Sequence, residues 1–298
     1  MQTILLLSLL YFLFGTIIGS FLGVCAYRIP MSKYEPIHEG VRQLDRKISL
    51  VTPARSFCPH CEKQLEWWHT IPVISWLLLR GRCGHCRVKI PFRYVLIELL
   101  TGTLCALSFL RFGPSVTGLC AFAFICLFIV ITYIDLDYMI IPDVITYPAT
   151  TIGILIGIAN RYLLGSQAVL LEAPFVQNPI QSIAGLLMGP GLLIAVWWIY
   201  FKIRKKEGLG LGDVKLLAVC GATFGMECAW FTIFFGSILG SAIGMALLLV
   251  RRSSLSTYIP FGPYLAVAAV AYLFDVPTLV ARIFNPSLSL TWWITSQL

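Results

Sequence analysis

Ile125-Cys126-Leu127-Phe128-Ile129-Val130-Ile131-Thr132-Tyr133-Ile134 runs without a charge into Asp135-Leu136-Asp137-Tyr138-Met139-Ile140-Ile141-Pro142-Asp143. The run ends an apolar segment near residues 115–134. A helix of about 20 apolar residues crosses the hydrocarbon core of a bilayer. Acids at the edge of such a helix are expensive, and an ionisable residue there is a functional-site hypothesis by default. A second acidic motif, Gly208-Leu209-Gly210-Leu211-Gly212-Asp213, opens another apolar segment. Two aspartates brought together from separate helices would form the dyad of a membrane-embedded aspartic protease.

The same pattern repeats on both sides. Further apolar segments lie near residues 4–25, 94–111, 144–163, 181–201, 214–230, 231–250 and 260–281, which makes about eight expected spans. The join near Gly225-Met226-Glu227 is the least marked. The 298 residues are 58% hydrophobic and only 12% charged, with a mean hydropathy of +0.84. The segments do not alternate polar and apolar residues, which argues against a β-barrel. The expected fold is an all-α polytopic membrane protein of about eight transmembrane helices with a small cytoplasmic zinc-binding loop domain. Its expected parts are a first transmembrane helix (residues 1–27), a cytoplasmic four-cysteine zinc-binding domain (28–93) and a membrane-embedded aspartic peptidase domain (94–298).

The net charge of +8 reads as membrane orientation and not as a nucleic-acid surface. Residues 28–93 hold twelve Lys or Arg. Lys202, Arg204, Lys205, Lys206 and Lys215 follow the fifth span or open the sixth, and Arg251 and Arg252 follow the seventh. The alternate side holds only Arg111, Arg161 and Arg282. Basic loops stay cytoplasmic, so the zinc loop and both acidic motifs are expected to face the cytoplasm, with both termini outside. No basic residue precedes Arg28, so the first helix lacks the charged start of a secretory signal and reads as uncleaved.

Cys58-Pro-His-Cys61 and Cys83-Gly-His-Cys86 are two C-x-x-C pairs about twenty residues apart, which read as a zinc site. Each pair presents two thiolates to one tetrahedral ion, and four protein ligands leave no position for a reacting water. Zn²⁺ is therefore expected to be structural, held by Cys58, Cys61, Cys83 and Cys86, with His60 and His85 as the alternative ligands. Metal binding would supply folding energy to a loop whose own core is small. The basic excess could instead hold the loop against anionic lipid. The six remaining cysteines lie in or near spans and read as small packing residues.

The acids each admit a plainer reading. Asp135 could be an aspartate wetted at a helix end. Asp137, two positions on, faces elsewhere on any helix. Pro142 breaks the helix, and Asp143 is placed to cap the next one. The glycines before Asp213 free the backbone for conformations closed to other residues. The motif is not a nucleotide loop, since no strand precedes it and the Lys-Ser or Lys-Thr ending is absent. If Asp135 and Asp213 share a proton, one pKa rises. The ionised member then takes a proton from water while the other polarises the scissile carbonyl. Gly236-x-x-x-Gly240-x-x-x-Gly244 reads as close helix packing, and Trp197-Trp198 and Trp292-Trp293 as interfacial anchors.

Taken together, the residues resemble the type IV prepilin peptidase family, also called leader peptidase/N-methyltransferase, over nearly the whole chain. The resemblance rests on Gly19-Ser20-Phe21-Leu22-Gly23-Val24 with Arg28-Ile29-Pro30, the two cysteine pairs, and Ile71-Pro72-Val73-Ile74-Ser75-Trp76. It continues through Arg80-Gly81-Arg82-Cys83, Arg93-Tyr94-Val95-Leu96-Ile97-Glu98, Asp135 with Pro142-Asp143, and Gly210-x-Gly212-Asp213. It ends on Ile259-Pro260-Phe261-Gly262-Pro263-Tyr264-Leu265-Ala266. The family usually has Asn where Gly23 stands and Pro where Val95 stands.

The resemblance implies a multi-pass bacterial inner-membrane aspartic endopeptidase. Asp135 and Asp213 would be its catalytic pair, with Asp137, Asp143, Gly210 and Gly212 in support. Its substrates would be type IV prepilins or type II secretion pseudopilins, cut after a glycine at the cytoplasmic face. It would then N-methylate the new terminus with S-adenosyl-L-methionine, by residues the resemblance does not name. Pilus or type II secretion assembly machinery and the lipid bilayer would be its partners, and nucleic acid would not. Three competing expectations remain. One is an ion or solute transporter with a cytoplasmic zinc domain, another a non-catalytic docking protein, and the third a peptidase without methylation.

Overall fold

The computed structural model of the chain describes residues 2–31, 49–162, 171–205, 210–251 and 260–278. Several sequence expectations fall elsewhere. Residues 32–48 of the basic loop, 163–170, Lys206, Gly208, Leu209, Arg252, Ile259, Arg282, the end of the eighth span and Trp292-Trp293 lie outside the described residues.

Among the described residues the secondary structure is helical apart from two isolated β-bridges. The helices are α1 (Gln2–Met31), α2 (Ile74–Leu78), α3 (Arg93–Phe112), α4 (Val116–Tyr138), α5 (Asp143–Tyr162), α6 (Pro179–Arg204), α7 (Leu211–Arg251) and α8 (Gly262–Leu273). Local chemistry sets several ends. Ser115 caps α4 by accepting from the Gly118 N–H at 3.1 Å. Asn178 caps α6 by accepting from Gln181 N–H at 2.9 Å, and Pro179 occupies the first helical turn, where a missing N–H costs nothing. α4 ends where Met139 turns left-handed at φ 52° and its N–H bonds the Asp135 carbonyl.

The chain forms two compact units, Met1–Ile145 and Thr146–Leu298. In the first, α1 packs on α3 and α4. Ile125, Phe128, Ile131 and Ile134 of α4 are each 1% exposed or less. Lipid is as apolar as these side chains, so fit and dispersion hold such a core. A Cβ on Gly19 would lie 2.8 Å from the Glu98 Cα, which shows how closely α1 and α3 approach.

In the second unit, α6 packs on α7 and α7 on α8. Gly185 and Gly221 meet so closely that a Cβ on either would strike the other's backbone. The Ser182 hydroxyl donates to the Ala222 carbonyl at 2.7 Å. Gly236 sits against Leu265, and Gly240 against Phe261 and Tyr264, so this part of the glycine row packs helices as its spacing implied.

Among the described residues five helices are long and apolar enough to cross a membrane: α1, α3, α4, α6 and α7. The expected spans 214–230 and 231–250 share α7. The helix breaks at Gly225 (φ 86°, ψ −177°), where the join was expected. The expected span 144–163 is helical as α5, but Thr146, Thr150, Thr151 and Asn160 dilute its apolar content. α8 is apolar but short. α1 runs on to Met31 and carries Arg28 and Pro30 in its last turns.

Candidate functional site

Each cysteine pair forms its own knuckle, and the two are built alike. The Cys58 N–H bonds the Lys63 carbonyl and the Glu62 N–H bonds the Cys58 carbonyl; Cys83, Val88 and Arg87 repeat the arrangement. Glu62 and Arg87, each just after the second cysteine of its pair, turn left-handed at φ 57° and 60°. Bridges Phe57↔Gln64 and Arg82↔Lys89 close the two knuckles.

The four Sγ atoms all lie within 4.8 Å of one another, and Cys58 and Cys86 are 3.8 Å apart. A tetrahedron with Zn–S bonds of about 2.3 Å separates its sulfurs by about 3.8 Å, so the thiols fit a zinc ion. Neither His60 nor His85 belongs to the cluster found among the described residues. His85 lies edge-on to His69, with ring centroids 5.6 Å apart. Burial pushes the Cys58 thiol up to about 12. Burial also raises Cys83, but hydrogen bonds from the Cys86 and His85 backbone and from the Cys58 and Cys86 thiols together outweigh it and bring that thiol down to about 7.

The loop is clamped from both flanking helices. Arg28, 4% exposed, donates to the carbonyls of Ser49 (3.3 Å), Leu50 (3.1 Å), Pro53 (2.8 Å) and Arg55 (3.2 Å). Glu98 of α3 accepts from the Val73 N–H at 2.7 Å, where Val73 is held at φ 61°. The Trp76 indole donates to the Ile90 carbonyl at 3.1 Å. A cavity of about 350 Å³ lies under this roof, walled by α1, α3 and the loop.

The acidic residues are placed as follows. Asp135 is 5% exposed, in the last turn of α4. Asp137 is 16% exposed and pairs with Arg93 at 2.6 Å, which ties the end of α4 to the start of α3. Asp143 is exposed in the first turn of α5. Asp213 is 8% exposed in the first turn of α7, and its N–H bonds the Gly210 carbonyl at 3.2 Å. A Cβ on Gly210 would approach the Asp213 carboxylate at 3.5 Å, while Gly212 is half-buried. Asp135 belongs to the first compact unit and Asp213 to the second.

Sequence reasoning assigned no structural part to Arg28, to Arg93 or to the Glu98–Val73 bond. The available signal was a basic or acidic residue inside an otherwise apolar helix. The Arg93–Asp137 pair yields a prediction. Arg93→Gln and Asp137→Asn should each destabilise the protein by about 1–2 kcal/mol, between a surface pair and a charge-assisted buried one. The reversed pair Arg93→Asp/Asp137→Arg should regain part of that loss. Thermal unfolding in detergent reads the cycle, and strictly additive losses would show that the two residues act independently.

Comparison with known proteins adds a second line of observation. Residues 13–112 match the family model described as Bacterial Peptidase A24 N-terminal domain. Residues 122–245 match the one described as Type IV leader peptidase family. The prepilin leader peptidase/N-methyltransferase of Aeromonas hydrophila is 36% identical over 270 residues, 87% of this chain and 87% of that protein. The protein of that name from Burkholderia pseudomallei (strain K96243) is 35% identical over 270 residues, 87% of this chain and 82% of that protein. The Pseudomonas putida protein is 34% identical over 262 residues, 85% of each. No solved structure matches the chain.

Proposed function

The chain belongs to the type IV leader peptidase family, and on that premise we propose that it removes the leader peptide of type IV prepilins or type II secretion pseudopilins and N-methylates the new terminus. The observation that carries the reading is the match itself, which runs through both halves of the chain and both acidic motifs.

Asp135 and Asp213 are the proposed catalytic pair. What supports this is their burial at the ends of two long apolar helices and their place in the family's motifs. Sharing one proton, they titrate as a unit. The ionised carboxylate draws a proton from the attacking water, and the protonated one donates to the scissile carbonyl as charge develops on its oxygen. Asp137 supports the fold, tying the end of α4 to the start of α3 through Arg93. Gly210 and Gly212 leave the approach to Asp213 free of side chains, and Asp143 sets the start of α5. The transporter alternative called for acids nearer the middle of the bilayer, whereas Asp135 and Asp213 each lie in a terminal helical turn.

Zinc is proposed as the structural ion of the four-cysteine loop. S-adenosyl-L-methionine, when bound, would supply an electrophilic methyl group to the new terminal amine, the sulfonium C–S bond breaking to release a neutral thioether and the amine losing one proton. The chain is a multi-pass membrane protein. The bacterial inner membrane, with loop and acids toward the cytoplasm, is its proposed setting, on the strength of its basic loops. Pilus or type II secretion assembly machinery is the proposed partner downstream of the cleaved substrate.

Reconstitution tests the reading. Zinc-loaded protein in anionic-lipid vesicles, given a full-length prepilin and S-adenosylmethionine, should shorten the prepilin. It should also leave a methyl group on the new terminus, read by mass spectrometry. Intact prepilin in the presence of folded protein would refute the peptidase assignment.

A further inference from the structure

The short helix α2 packs one side inward and leaves the other open. Trp76 is its inward side chain. The indole donates to the Ile90 carbonyl at 3.1 Å, and the ring stands edge-on to Phe92 with centroids 5.6 Å apart. The other side carries Ile74, Leu77 and Leu78, which are 55%, 60% and 70% exposed. Positions i, i+3 and i+4 share one helix face, so the three form one apolar patch. A single exposed leucine is ordinary, whereas a contiguous patch marks a surface that meets something other than water. The 3₁₀ turn Trp67–Thr70 packs beside α2, and its Trp67 is also open, at 79%.

The depth of this patch is set by α3. Its 20 residues, Arg93–Phe112, are all needed to cross about 30 Å of hydrocarbon at about 1.5 Å per residue. The helix therefore enters the membrane at its first turn. Glu98 stands about 7.5 Å along the axis from Arg93 at that rise, and its carboxylate accepts from the Val73 N–H at 2.7 Å. Val73 is the residue that begins α2. Side chains lean back toward the start of their helix. Even so, the head of α2 lies level with the first two turns of a membrane-spanning helix.

The open side of α3 leads to the same place. Leu96 and Leu100 are exposed on it, and exposed Phe92 continues their stripe past the helix start. Trp76 rests against Phe92, which seats α2 at the head of that stripe. Exposed Arg80 and Arg82 follow α2 directly, and an anionic leaflet attracts such charge. Tryptophan is enriched at the same level of a bilayer.

We propose that α2 is an interfacial anchor whose partner is phospholipid. Ile74, Leu77 and Leu78 enter the acyl boundary of the leaflet that α3 crosses first, and Arg80 and Arg82 meet its phosphates. An amphipathic helix lying in this layer buries its apolar face about 5–10 Å deep. The anchor holds the zinc loop to the bilayer directly, beside the Arg28 and Glu98 clamps that hold it to α1 and α3. It uses none of the residues proposed for cleavage.

Cross-linking lets the patch report its own neighbour. Full-length zinc-loaded protein carrying Leu77→p-benzoylphenylalanine is irradiated in vesicles of phosphatidylethanolamine and phosphatidylglycerol, with and without prepilin. Mass spectrometry reads the adducts. Phospholipid should be the main adduct in both cases. A main adduct to another segment of the chain, to a second copy or to prepilin would overturn the proposal, as would the absence of a lipid adduct. In a second arm the cross-linker replaces Ile74. Leu77→Asp/Leu78→Asp should then cut the lipid adduct at least about tenfold, the scale on which a leucine leaves an apolar phase. Zinc content and melting temperature report folding, and an undiminished adduct in the folded double variant would also overturn the anchor.

Discussion

Asp213→Asn and Asp135→Asn should each slow prepilin cleavage by about a hundredfold or more, the scale on which a positioned acid or base contributes. Asparagine keeps the size and polarity of the side chain and removes the titratable carboxyl. Both carboxyls are nearly buried, at 8% and 5% exposure, so neither change disturbs a solvated surface. The neighbouring Asp137→Asn serves as the contrast. Asp137 spends its charge on Arg93, so its loss should act through stability and leave most of the rate per folded molecule. Cleavage per zinc-loaded protein in vesicles separates these effects. A full-rate Asp213→Asn or Asp135→Asn variant would remove that residue from the chemistry.

Removing zinc should have the largest effect on stability. Metal binding in small zinc modules supplies on the order of 10 kcal/mol of folding free energy, and this loop has few alternatives. Among its described residues the buried apolar side chains are Phe57, Cys58 and Cys83, and it is otherwise held by short-range turns and by the clamps from α1 and α3. After chelation, or in Cys83→Ser, trypsin should cut at Arg80, Arg82, Arg87 or Lys89 at least about tenfold faster, as expected when a structural metal is lost. α1, α3 and α4 should survive. The sign of the pH dependence follows from the thiols. Without metal, Cys58 holds its proton up to about 12, so binding must release protons and zinc affinity should fall as pH falls. A loop that stays resistant after complete zinc removal would contradict the structural assignment.

The features legible in the sequence were those written in local spacing. Two C-x-x-C pairs could be read as one metal cluster because each knuckle is closed by its own backbone. Gly225-Met226-Glu227 marked the break in α7 because a positive φ is open to glycine. Gly236 and Gly240 pointed to a helix contact, though not to α8 as the neighbour. The clamps were not legible. Arg28 bonds four carbonyls, and a carbonyl leaves no trace in residue identity. Glu98 bonds an amide twenty-five positions away in the chain, and Arg93 an acid forty-four away. The cavity was hidden for a related reason. Gly19 and Gly23 look equivalent on paper, and only the path of α3 makes one a contact and the other a space.

A double-mutant cycle on cleavage tests whether Asp135 and Asp213 work as one pair. Groups that act as a unit are strongly non-additive. If they share one proton, Asp135→Asn/Asp213→Asn, folded and zinc-loaded in vesicles, should cut prepilin no more slowly than the slower single variant. A double variant whose loss equals the product of the two single losses would show two independent sites, and the shared dyad would be wrong.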